Sequence, residues 1–221
     1  DGRNIRIPYP DIYNNMASQI IIALQGIVLP EYVKLILTTP GQALSAQIYI
    51  SLMCGVIISM PLILWELTGF IKPGLYKNEI KLLRNLLVPA SLLFFIGAVF
   101  ALFIMVPMTM EFLYKYGVSL QAETYITINE FVAFITFFML AFGIAFQLPI
   151  IMWLSTKFGL ISNTFWRDNW RYTLVLLVVI GAIITPDASG ITMWLITIPM
   201  MVLYFIGYVA SRNVSSERIV K

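Results

Sequence analysis

The feature that most constrains this chain is a series of apolar stretches without a single charged residue. Five of them are candidates to cross a bilayer, at residues 46–65, 86–110, 131–156, 172–186 and 191–210. A membrane-spanning helix needs about 20 apolar residues. It satisfies its backbone hydrogen bonds internally, because lipid offers no partners for them. The sequence therefore predicts an all-α polytopic membrane protein, a helical bundle with five transmembrane helices.

The composition supports this class. Hydrophobic residues make up 60% of the 221 residues and charged residues only 11%, with a mean hydropathy of +0.88. A soluble globular chain carries about 25% charged residues. A chain with so few polar side chains cannot cover its own surface in water, so lipid is its expected solvent.

The residue inventory excludes several kinds of membrane enzyme. The chain has no histidine and a single cysteine, Cys54. Serine–histidine proteolysis, HExxH zinc chemistry and haem ligation by histidine all need an imidazole, and a lone cysteine forms no internal disulfide. We therefore expect no enzyme activity, no metal, no cofactor and no nucleic-acid partner.

The segment before the first long stretch has a different character. Residues 19–28 are apolar but too short to span, and they stop at Pro30. Helical spacing places one apolar face on Ile12, Met16, Ile20, Leu24 and Ile27. This pattern predicts an amphipathic helix that lies at the membrane surface.

The basic residues fall unevenly between the loops. Ten of the fourteen lie on one side of the predicted bundle: Lys72, Lys77, Lys81, Arg84, Lys157, Arg167, Arg171, Arg212, Arg218 and Lys221. The positive-inside rule assigns that side to the cytoplasm, which puts Asp1 outside and Lys221 inside. Because an outer N-terminus needs something to carry it across, we expect an upstream targeting or spanning segment, with six spans and both ends cytoplasmic in the intact protein.

The last two predicted spans are unusual. The fourth has fifteen residues, which reach about 22 Å against roughly 30 Å of hydrocarbon, and Pro199 interrupts the fifth. Two interpretations remain open. The pair is either a tightly packed hairpin joined by a turn at residues 186–190, or a site where the membrane is thin.

Four segments resemble one family in order and spacing. Residues 61–79, PLILWELTGFIKPGLYKNE, resemble the first cytoplasmic loop of TatC, the large subunit of the twin-arginine protein translocase. The other three are AFGIAFQLPI at 141–150, ITPD at 184–187 and TIPM at 197–200. The resemblance extends from Thr38 to Ser211.

This resemblance implies a receptor that binds twin-arginine signal peptides of folded precursors. It also implies that the chain recruits single-span subunits of the TatA/TatB type and that export is driven by the proton gradient. The expected location is the cytoplasmic (inner) membrane, and a homo-oligomer is compatible with the resemblance. We expect three regions: an extracytoplasmic segment with the amphipathic helix at 1–45, a transmembrane TatC-like bundle at 46–211, and a cytoplasmic tail at 212–221.

Three loop residues match the family's peptide-binding positions. Glu79 matches the glutamate that contacts the arginine pair, and a carboxylate is the group that accepts the paired donors of a guanidinium. Phe70 and Pro73 match positions that shape an apolar shelf. Without the resemblance, Glu79 would be interpreted as a solvated acid in surface ion pairs, and Phe70 and Pro73 as the end of a helix.

Two further residues are candidates for partner contact or transport. Gln147 is a polar residue deep in a span, at a position where many family members have glutamate, and Pro149 follows it. The alternative for Gln147 is an internal bond between helices. Asp187 lies in the outer turn near the family's acid, and it could equally cap the following helix.

Two functions other than that of a receptor would require particular residues in the spans. A secondary transporter or channel would predict ionisable residues at mid-membrane, and an intramembrane aspartyl protease would need two carboxylates there. None of the five predicted spans contains Asp, Glu, Lys or Arg. A transporter or channel with a backbone-lined site stays open, because Pro149 and Pro199 interrupt helices.

Overall fold

The structure is a computed structural model that describes residues 15–30, 32–119, 124–184 and 190–219. Four helical stretches in these residues are long and apolar enough to cross a membrane: Gln42–Gly74, Glu79–Lys115, Ile128–Lys157 and Ile191–Arg212. The apolar helix at the fourth predicted span, Trp170–Ile183, is shorter, as its sequence predicts. The predicted all-α helical membrane bundle is confirmed.

Helix α1 (Met16–Val28) is the first described helix. It follows Asn15, whose side chain accepts a hydrogen bond from the Ser18 N–H at 2.8 Å. The predicted apolar face of α1 is correct at Leu24, which is buried, and in part at Ile20, which packs on the core, but it is wrong at Met16 and Ile27, which are exposed. The other buried residues of the helix are Ile21 and Val28. Three consecutive isoleucines make two faces equally apolar, so periodicity could not select the one that packs on the bundle.

Two short strands lie outside the long helices. Strand β1 (Val33–Ile36) pairs in parallel with β2 (Thr124–Thr127), in register from Val33 opposite Thr124 to Ile36 opposite Thr127. The Thr124 hydroxyl donates to the carbonyl of Tyr32, 92 residues away in sequence. This strand pair was not predicted from the sequence.

Helix α2 (Gln42–Ile71) crosses the bundle without interruption despite Pro61 in its interior. It passes into a 3₁₀ turn (Lys72–Gly74), and the short helix α3 (Lys77–Asn85) follows. Pro73 stands at the start of that turn, where a missing N–H costs nothing. This α2–turn–α3 corner carries the first basic loop.

The second long stretch is built from three helical pieces. Helix α4 (Leu87–Phe100) continues through a π-helical segment (Ala101–Met105) into α5 (Val106–Ser119). The Val106 N–H bonds to the Ala101 carbonyl, one residue further back than in an α-helix. Pro107 follows at once, and the lost donor and ring of a proline are a known cause of such irregularities.

The third long stretch is one candidate span, as predicted, and it is built from two helices. Helix α6 (Ile128–Ala145) starts at Thr127, whose hydroxyl accepts from the Glu130 N–H, and lies at the centre of the bundle. Helix α7 (Leu148–Lys157) restarts after a break, with Pro149 in its first turn. The break falls here because Pro149 cannot donate to the carbonyl of Ala145.

The remaining elements close the bundle on the other side. They are the short helix α8 (Asn163–Asp168), α9 (Trp170–Ile184) and the long α10 (Ile191–Ile219). Helix α10 continues through Pro199, so the predicted interruption of the fifth span is wrong. Helix α10 packs on α7 and α9. A Cβ at Gly207 would come within 2.6 Å of the Met152 sulfur, so glycine is what permits the α10–α7 approach.

The core of the bundle lies between α4 and α6. The rings of Phe94, Phe138 and Phe142 are fully buried there. A Cβ at Gly143 would lie 2.5 Å from the Phe94 ring, and a Cβ at Gly97 would lie 2.7 Å from the Phe142 carbonyl oxygen. Each helix therefore places a glycine against its neighbour, and their backbones come close.

Candidate functional site

Glu79 is the third residue of α3 and acts at the start of that helix. Its Oε2 accepts a hydrogen bond from the backbone N–H of Tyr76 at 2.9 Å, which satisfies a donor that the first turn leaves unpaired. Among the side chains that the structure describes, none donates to its other carboxylate oxygen or forms an ion pair with it. Those side chains therefore do not show the expected alternative, an acid held in surface ion pairs.

Two of the predicted loop residues lie together on the outer surface of the corner. Phe70, in the last turn of α2, is 85% exposed, and Pro73 is exposed in the 3₁₀ turn. Tyr76, just before α3, is exposed to a similar degree. Sequence reasoning missed Tyr76, although an aromatic side chain in a short basic loop is itself a signal for contact with a partner.

An almost wholly apolar groove of about 550 Å³ opens beside this corner. It lies between α2, α3, α4, α6 and α7, with Met60, Leu67, Phe94 and Ile144 among its walls. Thr68 and Gln147 are the polar side chains among its described lining residues. The groove is large enough for an extended or helical apolar segment.

Gln147 lies in the break between α6 and α7, at the end of the groove wall. It is only 7% exposed, and its Nε2 donates to the backbone carbonyl of Ala90 on α4 at 3.0 Å. The internal helix–helix bond that the sequence left as an alternative is therefore present. The amide oxygen accepts no hydrogen bond from a described residue, so acceptor capacity remains at the groove.

Glu79 and the groove are linked through α3. Leu83 lies one helical turn after Glu79 on the same face, is buried, and forms part of the groove wall. The helix thus places an acceptor carboxylate one turn from a residue of the apolar groove wall. A ligand with cationic residues next to an apolar stretch matches this order of groups.

The other predicted segments have different outcomes. Asp187 lies outside the described residues. In the TIPM segment, Thr197 is buried, and its hydroxyl donates to the Met193 carbonyl at 2.8 Å and lies 3.5 Å from the Leu177 carbonyl on α9. That segment therefore packs α9 against α10.

One cation of the second basic loop, Arg167, is paired with an acid of the same loop. Arg167 Nε donates to the Asp168 carboxylate at 2.9 Å, and this hydrogen bond and the charge of Asp168 raise the pKa of Arg167. The indole N–H of Trp166 donates to Thr156, and Tyr204 donates to the Trp166 carbonyl. These bonds tie α7, α8 and α10 together at this end.

The fold and the groove define a polytopic helical membrane protein that presents an acidic helix start beside an interhelical channel. The family model for Sec-independent protein translocase protein (TatC) matches residues 8–199. The chain belongs to the TatC family, and it is a translocase component rather than an enzyme.

Individual relatives agree with this assignment. TatC of Cenarchaeum symbiosum is 43% identical over 218 residues, covering 98% of this chain and 83% of that protein. TatC of Aquifex aeolicus is 37% identical, covering 89% and 84%. A crystal structure of the twin-arginine translocase receptor TatC superimposes with a TM-score of 0.81 at 36% identity, covering 90% of this chain and 88% of that one.

Proposed function

We propose that this chain is the signal-peptide receptor of a twin-arginine translocase. It binds the twin-arginine signal peptides of folded precursors and recruits TatA/TatB-type single-span subunits for export driven by the proton gradient. The observation that carries the proposal is the position of Glu79, one turn from the wall of the apolar groove. Family membership supports it independently.

The chemistry of the corner fits the two parts of such a peptide. One carboxylate oxygen of Glu79 accepts from the Tyr76 N–H, and the other, to which no described side chain donates, would accept from a guanidinium. Hydrogen bonds of this charge-assisted kind are short and strong. Phe70 and Pro73 form the apolar shelf over which the peptide passes toward the groove.

Gln147 and Asp187 are assigned to partner contact or transport. The open amide oxygen of Gln147 gives an approaching helix one acceptor inside an otherwise apolar wall. In this proposal the protein lies in the cytoplasmic (inner) membrane, with the basic loops in the cytoplasm and the β1–β2 end outside, and copies of the chain associate around the partners.

The decisive test compares two substitutions of Glu79 in the full-length protein in membranes. Glu79→Gln keeps an oxygen that accepts from the Tyr76 N–H but removes the charge, whereas Glu79→Ala removes both. If charge recognition is the function, both variants should lose crosslinking to a twin-arginine peptide by a similar factor, equivalent to about 1.5–3 kcal/mol. A peptide with its arginines replaced by glutamine serves as the matched control.

The outcomes separate the two roles of Glu79. If Glu79→Gln binds the peptide normally and only Glu79→Ala fails, the residue is a helix cap and not the arginine acceptor. Normal binding by both variants would remove the site from this corner altogether.

A further inference from the structure

A second groove lies on a different face of the α2–α4 pair. It has a volume of about 610 Å³, and Pro61, Leu92 and Phe95 are among the residues that line it. On α4 it uses Val88, Ser91, Leu92 and Phe95, whereas the first groove uses Ala90 and Phe94, and Leu87 lines both. The two grooves therefore adjoin at the start of α4 and diverge further along that helix.

The second groove has a basic end. Trp65, Arg84 and Leu87 line it and also line a smaller cleft of about 210 Å³, so the two cavities adjoin. The cleft adds Thr68 and Lys72, and it shares Thr68, Leu83 and Leu87 with the first groove. An apolar trough therefore ends in a cleft with two cationic side chains, a hydroxyl and an indole.

The two cations of this cleft are uncompensated. Neither Lys72 nor Arg84 forms an ion pair with a described residue, and both are exposed. In contrast, Lys115 pairs with Glu111 and Arg167 pairs with Asp168. Two cations that share one cleft without an acid favour an anionic ligand at that place.

We propose that this composite site binds an anionic phospholipid. One acyl chain would lie in the groove between α2 and α4, and the headgroup phosphate would lie in the cleft between Lys72 and Arg84. Only an amphiphile supplies hydrocarbon and negative charge at this spacing, and basic pockets between transmembrane helices are known to hold such headgroups. Trp65 lies at the junction of the groove and the cleft. An indole side chain is favoured at the membrane interface, which is where the headgroup would lie.

The test uses quenching of tryptophan fluorescence by brominated lipid, with the full-length protein in phosphatidylcholine vesicles. Because the chain has five tryptophans, the contribution of Trp65 is obtained as the difference from a Trp65→Phe protein. A small fraction of the lipid is replaced by brominated phosphatidylglycerol in one sample and by brominated phosphatidylcholine in the other. We expect stronger quenching by the anionic lipid, and a Trp65→Phe protein should lose the difference between the two samples. Because no peptide is present, the result does not depend on the proposed receptor function.

Matched variants locate the headgroup. Arg84→Gln and Lys81→Gln remove the same charge from the same face of α3, but only Arg84 lines the cleft. Arg84→Gln should lower the preference for phosphatidylglycerol about five-fold, since one cation near a membrane surface contributes on the order of 1 kcal/mol. Lys72→Gln should act alike, whereas Lys81→Gln should leave the preference close to that of the unsubstituted protein.

Three results would overturn the proposal. Equal quenching by both lipids would mean that the groove holds no particular headgroup. Equal effects of Arg84→Gln and Lys81→Gln would indicate attraction by general surface charge. Displacement of brominated lipid by an apolar peptide, with no effect of Lys72→Gln or Arg84→Gln, would assign the groove to a peptide. Native mass spectrometry of the lipid retained by each variant gives a second readout independent of fluorescence.

Discussion

The amide nitrogen of Gln147 lies 3.0 Å from the carbonyl oxygen of Ala90, and this bond joins the α6–α7 break to α4. Both residues line the apolar groove. The contact therefore fixes the distance between two of the groove's walls at the one place where the third long helical stretch is interrupted.

Replacement of Gln147 by leucine should have a small effect on stability. The variant loses one interhelical hydrogen bond, which contributes about 0.6 kcal/mol on average in membrane proteins. Reversible unfolding in mixed detergent measures this change, with Gln25→Leu at an exposed position of α1 as a control. Loss of partner recruitment with near-normal stability would support a partner role for the amide, and full recruitment would show it to be dispensable.

Substitution of Gly143 by alanine should destabilise the bundle. The added Cβ would lie 2.5 Å from the buried ring of Phe94, and overpacking of this kind costs about 1–3 kcal/mol. The double variant Gly143→Ala/Phe94→Leu should recover part of the loss, because the smaller side chain leaves room for the methyl group. Strictly additive unfolding energies in this cycle would contradict the contact.

Substitution of Phe70 by alanine should separate binding from folding. Phe70 is 85% exposed, so its removal should change the free energy of unfolding by no more than about 0.5 kcal/mol. Crosslinking of a twin-arginine peptide should nevertheless fall if the shelf contributes to binding. Leu160→Ala, at a residue 76% exposed near the other basic loop, is the matched control and should leave crosslinking unchanged.

The orientation can be checked with two lysine-to-cysteine variants in a Cys54→Ser background. Lys34 lies in β1 and Lys81 in α3, and both are exposed. A membrane-impermeant maleimide added outside intact cells should label Lys34→Cys, whereas Lys81→Cys should react only after permeabilisation. Labelling of both positions from one side would contradict the proposed topology.

The helical bundle followed from the sequence because the absence of charge over long stretches is a strong signal. The position of a helix break and the packed face of a helix were harder to predict, because they depend on contacts with other helices. Pro149 marks a break, but only packing places it at Phe146 and Gln147. The face of α1 was ambiguous because Ile20, Ile21 and Ile22 are equally apolar, and the contact with α2 decided it.

The candidate site was predicted in part. The resemblance identified Glu79, Phe70 and Pro73, yet no pattern showed that Glu79 also starts a helix. The apolar groove was not predicted, because five helices from distant parts of the chain form its walls. Lys72 and Arg84 form no ion pair with a described residue, and the sequence showed them only as part of a charge asymmetry.

The pairing of β1 with β2 sets an order of events during synthesis. The strands cannot meet until the chain has been made as far as Thr124, because Tyr32 and Thr124 are 92 positions apart. Contacts so distant in the chain form late. Because β1 leads toward α2 and β2 leads directly into α6, a chain released from the ribosome before Thr124 would lack the strand pair that links the starts of these two helices.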